Sequence, residues 1–199
     1  MLTRIAVLVS GGGTNLQALI AAEKSGVLTS GVISLVVSNN PDAFALKRAE
    51  KAGIKTVVIP REAEGKSFEN QLTALLEQEN IELIVLAGFM CILSGNFTRR
   101  FSERIINVHP SLIPSFCGKG FYGLRVHKAA LEYGVKVTGA TVHFVNEIPD
   151  GGKIILQKPV AIEEGDTPEI LQKRVMEQAE WVILPQAVEM VSRKLGEEK

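Results

Sequence analysis

Asn107 and His109 stand two residues apart in the run Ile105-Ile106-Asn107-Val108-His109-Pro110-Ser111. An apolar run of this kind reads as a buried strand, and positions i and i+2 of a strand point to the same face. The amide and the imidazole therefore project side by side just before Pro110, which stops the ladder. An amide donor beside a titratable imidazole can hold a developing oxyanion and move a proton. A core histidine satisfied by a neighbouring asparagine would show the same pattern. Asp150, in Asp150-Gly151-Gly152, offers a carboxylate. Brought near His109 it would raise the imidazole pKa, fix its tautomer and keep the imidazolium populated near neutral pH. Asp-Gly is also an ordinary hairpin turn.

A second chemical feature is the loop Ser10-Gly11-Gly12-Gly13-Thr14-Asn15, between an apolar run and a helical pattern. Such a strand-to-helix loop presents backbone N–H groups and the positive end of the helix dipole to an anion. Glycine lets a ligand approach the backbone closely. A Walker A loop would need Gly-Lys-Ser/Thr, and no lysine is present. A dinucleotide fingerprint would need a small residue where Leu16 stands and an acid ending the second strand, which instead ends Val37-Ser38-Asn39-Asn40. The loop therefore favours a phosphate monoester over NAD, and a tight turn capped by Thr14 is the plainer alternative. Met90-Cys91-Ile92-Leu93 reads either as core packing or as an apolar wall for a flat heterocycle. His143, between Val142 and Phe144, reads as a structural histidine, and His127 as a surface or lid residue. The loop 110–123 is longer than a simple connection needs, as lids and binding loops often are.

These groups need a frame. Ile5–Val9, Val32–Val37, Thr56–Ile59, Leu83–Ala87 and Ile105–Val108 read as buried strands. Helical patterns lie between them at Asn15–Ser25, Asp42–Ala52 and Ser67–Glu79, two of them stopped by glycine. This alternation predicts an α/β, Rossmann-like fold: a mostly parallel twisted sheet with helices on both faces and right-handed crossovers. The C-terminal half adds a helix near Leu124–Tyr133 and an antiparallel hairpin of Val135–Val145 and Ile154–Val160. A last helix opens with Thr167 as N-cap and Pro168 at its first position. Pro185 should kink or interrupt it, and 193–199 should fray. We read 1–199 as a single domain, with 1–105 as a nucleotide-binding half and 106–199 as a catalytic half.

The bulk composition is that of an ordinary globular chain. Of 199 residues, 46% are hydrophobic and 22% charged, with Lys+Arg and Asp+Glu both at 22. This balance speaks against a polyanionic partner, so no nucleic acid is expected. The longest apolar stretch, Ile84 to Leu93, is far below membrane-spanning length, so no membrane is expected either. Cys91 and Cys117 form no CxxC and have no histidine cluster, so no metal is expected, and two thiols fit a reducing, cytoplasmic setting.

The segments Ser10–Gln17, Leu86–Met90, Ile106–Pro114, Gly139–Val145 and Asp150–Gly152 occur in this order. Together, from about Ile5 to Pro185, they resemble the phosphoribosylglycinamide formyltransferase family of folate-dependent enzymes. The resemblance implies transfer of a formyl group from 10-formyltetrahydrofolate to the amine of 5-phosphoribosylglycinamide, a step of purine biosynthesis, in a monomer or homodimer without metal. It implies that Gly13, Thr14 and Asn15 bind the ribonucleotide, with Glu180 on its amine side. Met90, Cys91, Ile92 and Leu93 would line the pterin site, largely through backbone groups, with 146–149 bordering it. Asn107 would contact the formyl oxygen, His109 would donate the proton, and Asp150 would raise the His109 pKa. Lys66 and, behind it, Arg61 are the candidates to meet the folate tail. A formylfolate hydrolase would keep Asn107, His109 and Asp150 but need no nucleotide loop. A nucleotide-sensing module would leave those three unused.

Overall fold

The computed structural model describes residues 1–60 and 66–198, with Lys66 and Ser67 described by backbone alone. Seven strands form one sheet: β1 (Thr3–Val9), β2 (Gly31–Ser38), β3 (Lys55–Val58), β4 (Leu83–Leu86), β5 (Ile105–His109), β6 (Val137–Phe144) and β7 (Ile154–Ala161). Their spatial order is β3-β2-β1-β4-β5-β6-β7. The first five are mutually parallel, and β6 and β7 run antiparallel to their neighbours. One sheet thus runs through both halves of the chain. The path leaves β1 toward β2 and β3, then returns to lay β4 on the other side of β1. That reversal opens a crevice at the carboxyl ends of β1 and β4, where open α/β sheets bind ligands.

Alternation along the strands divides the core in two. Ile5, Val7 and Val9 face one layer, where they meet Leu16, Leu19 and Ile20 of α1 (Thr14–Ser25) and Ala45 and Ala49 of α2 (Phe44–Lys51). Ala6 and Leu8 face the other, with Leu72 and Leu76 of α3 (Lys66–Gln78) and Phe97 of α4 (Gly95–Arg100). The period of two puts neighbouring residues on opposite faces, so both faces of the sheet are covered by helices. The first layer is completed by α6 (Pro168–Val175) and α7 (Trp181–Glu197), which supply Leu171, Val175, Ile183, Leu184 and Val188. Thr167 caps α6 as expected, accepting from the Ile170 N–H at 3.3 Å.

Four expectations change. The short helix α4 was not anticipated; Ser94 caps it by accepting from the Phe97 N–H at 3.2 Å. His127 is fully buried on α5 (Leu124–Tyr133), beside Val126 and Ala130 on the inward face, so it is no surface residue. The tail does not fray where expected, because α7 holds its helix to Glu197. Pro185 lies buried inside α7 without ending it; the irregularity sits one turn earlier, as a π turn over Met176–Glu180. Proline has no N–H to give the carbonyl four residues back. Among the described residues, no helix is long and apolar enough to cross a membrane.

Candidate active site

β5 carries the amide and the imidazole to the carboxyl edge of the sheet. Antiparallel pairing sets His143 of β6 directly opposite Asn107, and Thr141 opposite His109. Asn107 Nδ2 lies 3.2 Å from His143 Nε2. His143 Nδ1 is 2.8 Å from the Phe144 carbonyl. A carbonyl only accepts, so the network assigns the Nδ1 proton to that bond and leaves the Nε2 lone pair to receive an Asn107 N–H. His143 therefore orients the amide. Its own segment marks it as structural only; the signal that reveals more is strand register, since Thr141 and His143 share a face.

The turn after β6 brings Asp150 between the two rings. Its Oδ2 is 3.5 Å from His109 Nδ1, and its Oδ1 is 3.6 Å from His143 Nε2. The Gly118 N–H donates to Asp150 Oδ2 at 2.8 Å. Gly152 makes this return possible, because a Cβ there would lie 1.8 Å from the Phe144 carbonyl oxygen. Burial alone would raise the Asp150 carboxyl, but the neighbouring His143 ring, the His109 charge and the Gly118 amide together hold it below the usual carboxylate range.

His109 Nε2 sits 2.9 Å from the Phe116 carbonyl, so that nitrogen carries a proton. Attraction between Nδ1 and Asp150 asks for a second proton, which makes the ring an imidazolium. Burial opposes this and prevails: the His109 pKa lies below its ordinary value, although Asp150 and the Phe116 carbonyl push it up. Asp150 thus raises the His109 pKa as expected, but the ring is only 4% exposed and desolvation outweighs the carboxylate. Burial and the charge of His109 drive His127 down to about 4, and neither of its ring nitrogens has a partner among the described residues.

The glycine loop lies across the crevice. Gly13 takes a left-handed φ of 71° and would strike Ala45 with a Cβ at 2.6 Å, so backbone and packing both require glycine there. Gly11 and Gly12 are different: a Cβ at either would meet nothing within 4 Å. Their identity is unexplained by packing and fits close approach of a ligand. Asn15 Nδ2 donates to Glu180 Oε2 at 2.8 Å, and Thr14 Oγ1 lies 3.9 Å from Met176 Sδ. The π turn thus faces the loop, and the two distant segments assigned to the ribonucleotide meet. Burial pushes Glu180 up to about 7, against the Asn15 amide.

At the head of the crevice the Met90 N–H donates to Ser10 Oγ at 2.9 Å, tying the β4 end to the loop. Met90 and Ile92 are 56% and 71% exposed, whereas Leu93 is packed in the second core layer. Leu93 can therefore offer a ligand only its backbone. Cys91 Sγ receives the Asn39 amide at 3.0 Å. The Lys66 side chain and all of Arg61 fall outside the described residues.

Residues 3–188 match the model of the formyl transferase family. The chain belongs to that family. The formyl transferase relatives include the phosphoribosylglycinamide formyltransferase of Haemophilus influenzae, 44% identical over 92% of this chain and 84% of that one. The human trifunctional purine biosynthetic protein adenosine-3 is also 44% identical, over 98% of this chain. The chain spans only 14% to 19% of the length of these trifunctional relatives, 19% in the human case. Glycinamide ribonucleotide transformylase 1 from Symbiobacterium toebii superposes with a TM-score of 0.88 at 38% identity, over 97% of this chain and 89% of its own. The Brucella melitensis phosphoribosylglycinamide formyltransferase gives 0.88 at 38%, with 96% of each chain covered.

Proposed function

We propose that this formyltransferase moves the formyl group of 10-formyltetrahydrofolate to the amine of 5-phosphoribosylglycinamide. The observation that carries the reading is the meeting, at one sheet edge, of Asn107, His109 and Asp150 with a loop whose Gly11 and Gly12 packing does not explain. The phosphate sits on the loop amides of Gly13, Thr14 and Asn15, with Glu180 beside the rest of the acceptor. The pterin lies along Met90–Leu93, mostly against backbone.

The amine attacks the formyl carbon and a tetrahedral oxyanion forms. The Asn107 amide, held by His143, gives it one N–H. The His109 imidazolium gives another, and its Nε2–H exchanges the Phe116 carbonyl for the oxyanion. Asp150 stabilises that cation as it forms. The imidazolium then gives its Nε2 proton to the folate nitrogen as the bond from the formyl carbon to that nitrogen breaks, and the proton released by the attacking amine restores the ring. Loss of one such fixed donor typically costs on the order of 10²–10³ in turnover. A cytoplasmic monomer or homodimer fits this reading.

The test is incubation with formyl-folate, with and without glycinamide ribonucleotide, following the folate product. Turnover that depends on the amine supports the transferase. Equal turnover without it indicates a hydrolase, and none in either case indicates a binding module; both refute the proposal.

A further inference from the structure

We propose that Arg48 is a positioning residue for the acceptor's phosphate, acting through the glycine loop; this rests on the reading that the loop receives a phosphate. In a trans peptide the carbonyl and the following N–H point in opposite directions. Fixing a carbonyl on one side of a loop therefore aims the next amide at the other side. All three glycine carbonyls are fixed. The Gly11 carbonyl accepts from the Ala45 N–H at 3.0 Å, and the Gly13 carbonyl from the Gln17 N–H at 2.9 Å. The Gly12 carbonyl accepts from Arg48 Nε at 2.9 Å.

Two of these bonds come from backbone. The third depends on one side chain, and it governs the Gly13 N–H at the centre of the loop. The N–H groups of Gly12, Gly13 and Thr14 have no acceptor within the chain among the described residues. They are the donors that an anion would take.

Arg48 is itself held. Its Nη1 donates to Gln17 Oε1 of α1 at 3.1 Å, and its guanidinium carbon lies 5.0 Å from the centre of the Phe44 ring. The planar fork spans the loop and the first helix at once, which an ammonium cannot do with the same geometry. Its charge also sits beside a loop that has no cation of its own. The arginine is thus a preset brace: it is paired to the loop before any ligand arrives, so binding does not have to order it.

The experiment compares wild type, Arg48→Ala and Arg48→Lys with glycinamide ribonucleotide and with the same riboside lacking the phosphate. Inorganic phosphate serves as a competitor. Arg48→Ala should raise KM for the ribonucleotide on the order of 10-fold, the worth of one charge-assisted hydrogen bond. It should leave kcat within about two-fold and the KM for formyl-folate unchanged. Phosphate inhibition should weaken by a similar factor, while kcat/KM for the riboside stays put. Arg48→Lys should fall between the two, and it decides the matter if Arg48→Ala does not fold. An equal loss on both acceptors, a fall in kcat at constant KM, or no change on either acceptor overturns the role of Arg48 alone. A wild type that ignores the phosphate of its acceptor, with no competition by phosphate, overturns the phosphate reading of the loop and the proposal together.

Discussion

Asp150→Asn isolates charge from shape. The amide is isosteric and keeps an oxygen for the Gly118 N–H, so the turn should hold. What disappears is a negative charge 3.5 Å from His109 Nδ1. At that separation a unit charge is worth about 5 kcal/mol at an effective dielectric near 20, and about 1 kcal/mol in water. The imidazole pKa should therefore fall further below its ordinary value. Burial already sets it below the ordinary value, and only the Phe116 carbonyl is left to oppose burial. The imidazolium fraction near pH 7 then drops about 10- to 1000-fold, and turnover drops with it. The pH at which kcat/KM declines from loss of the His109 proton should move to lower values. Formyl transfer, followed by the absorbance of the folate product from about pH 5 to about pH 9, reads both effects. Proton NMR of the ring checks the pKa directly. A variant that keeps more than half its activity with an unmoved limb, or whose His109 pKa rises, would refute the electrostatic argument.

Gly11→Ala should leave the thermal midpoint unchanged, since its Cβ meets open space, yet raise KM for the ribonucleotide; unchanged KM would return the loop to being a turn. Gly152→Ala drives a Cβ into the Phe144 carbonyl and should cost on the order of 3 kcal/mol in urea unfolding, so a wild-type midpoint would sink the close-approach argument. Glu180→Gln tests linkage. The carboxyl at about 7 lies above its unfolded value, so the folded state gains from its proton. That stability is complete below the unfolded pKa and fades as pH rises through 7, a swing of about 3 kcal/mol. Glu180→Gln should therefore stabilise the fold at about pH 8 and make little difference near pH 5. Melts at both values decide it, and a gain confined to the acid side would be the wrong sign.

Local pattern was legible where one element carries it. The alternation in β5 put Asn107 and His109 on one face, and Ser-Gly-Gly-Gly-Thr-Asn between apolar periods marked the loop. His143 was missed because its role comes from pairing with a strand 36 residues away, a register that no single segment displays. His127 misled because a histidine after a long loop looks exposed, while the helical spacing of Val126 and Ala130 turns that face inward. The sign of the His109 shift could not be read at all. It is a contest between desolvation and a carboxylate, and only coordinates weigh one against the other. The short α4 escaped because a single capped turn has too little periodicity to stand out.

The π turn over Met176–Glu180 amounts to one surplus residue in an otherwise regular rod. Upstream of it, Leu171 and Val175 seat the rod in the core; downstream, Ile183, Leu184 and Val188 do so again. The two halves are thus out of phase, and the step between them is what swings Glu180 toward Asn15. Removing a single residue there would restore an even spiral, yet turn one half by about 100° against the other. Either the acid would leave the cradle or the apolar seam would leave the sheet. This stretch should tolerate exchanges of side chain far better than any change of length.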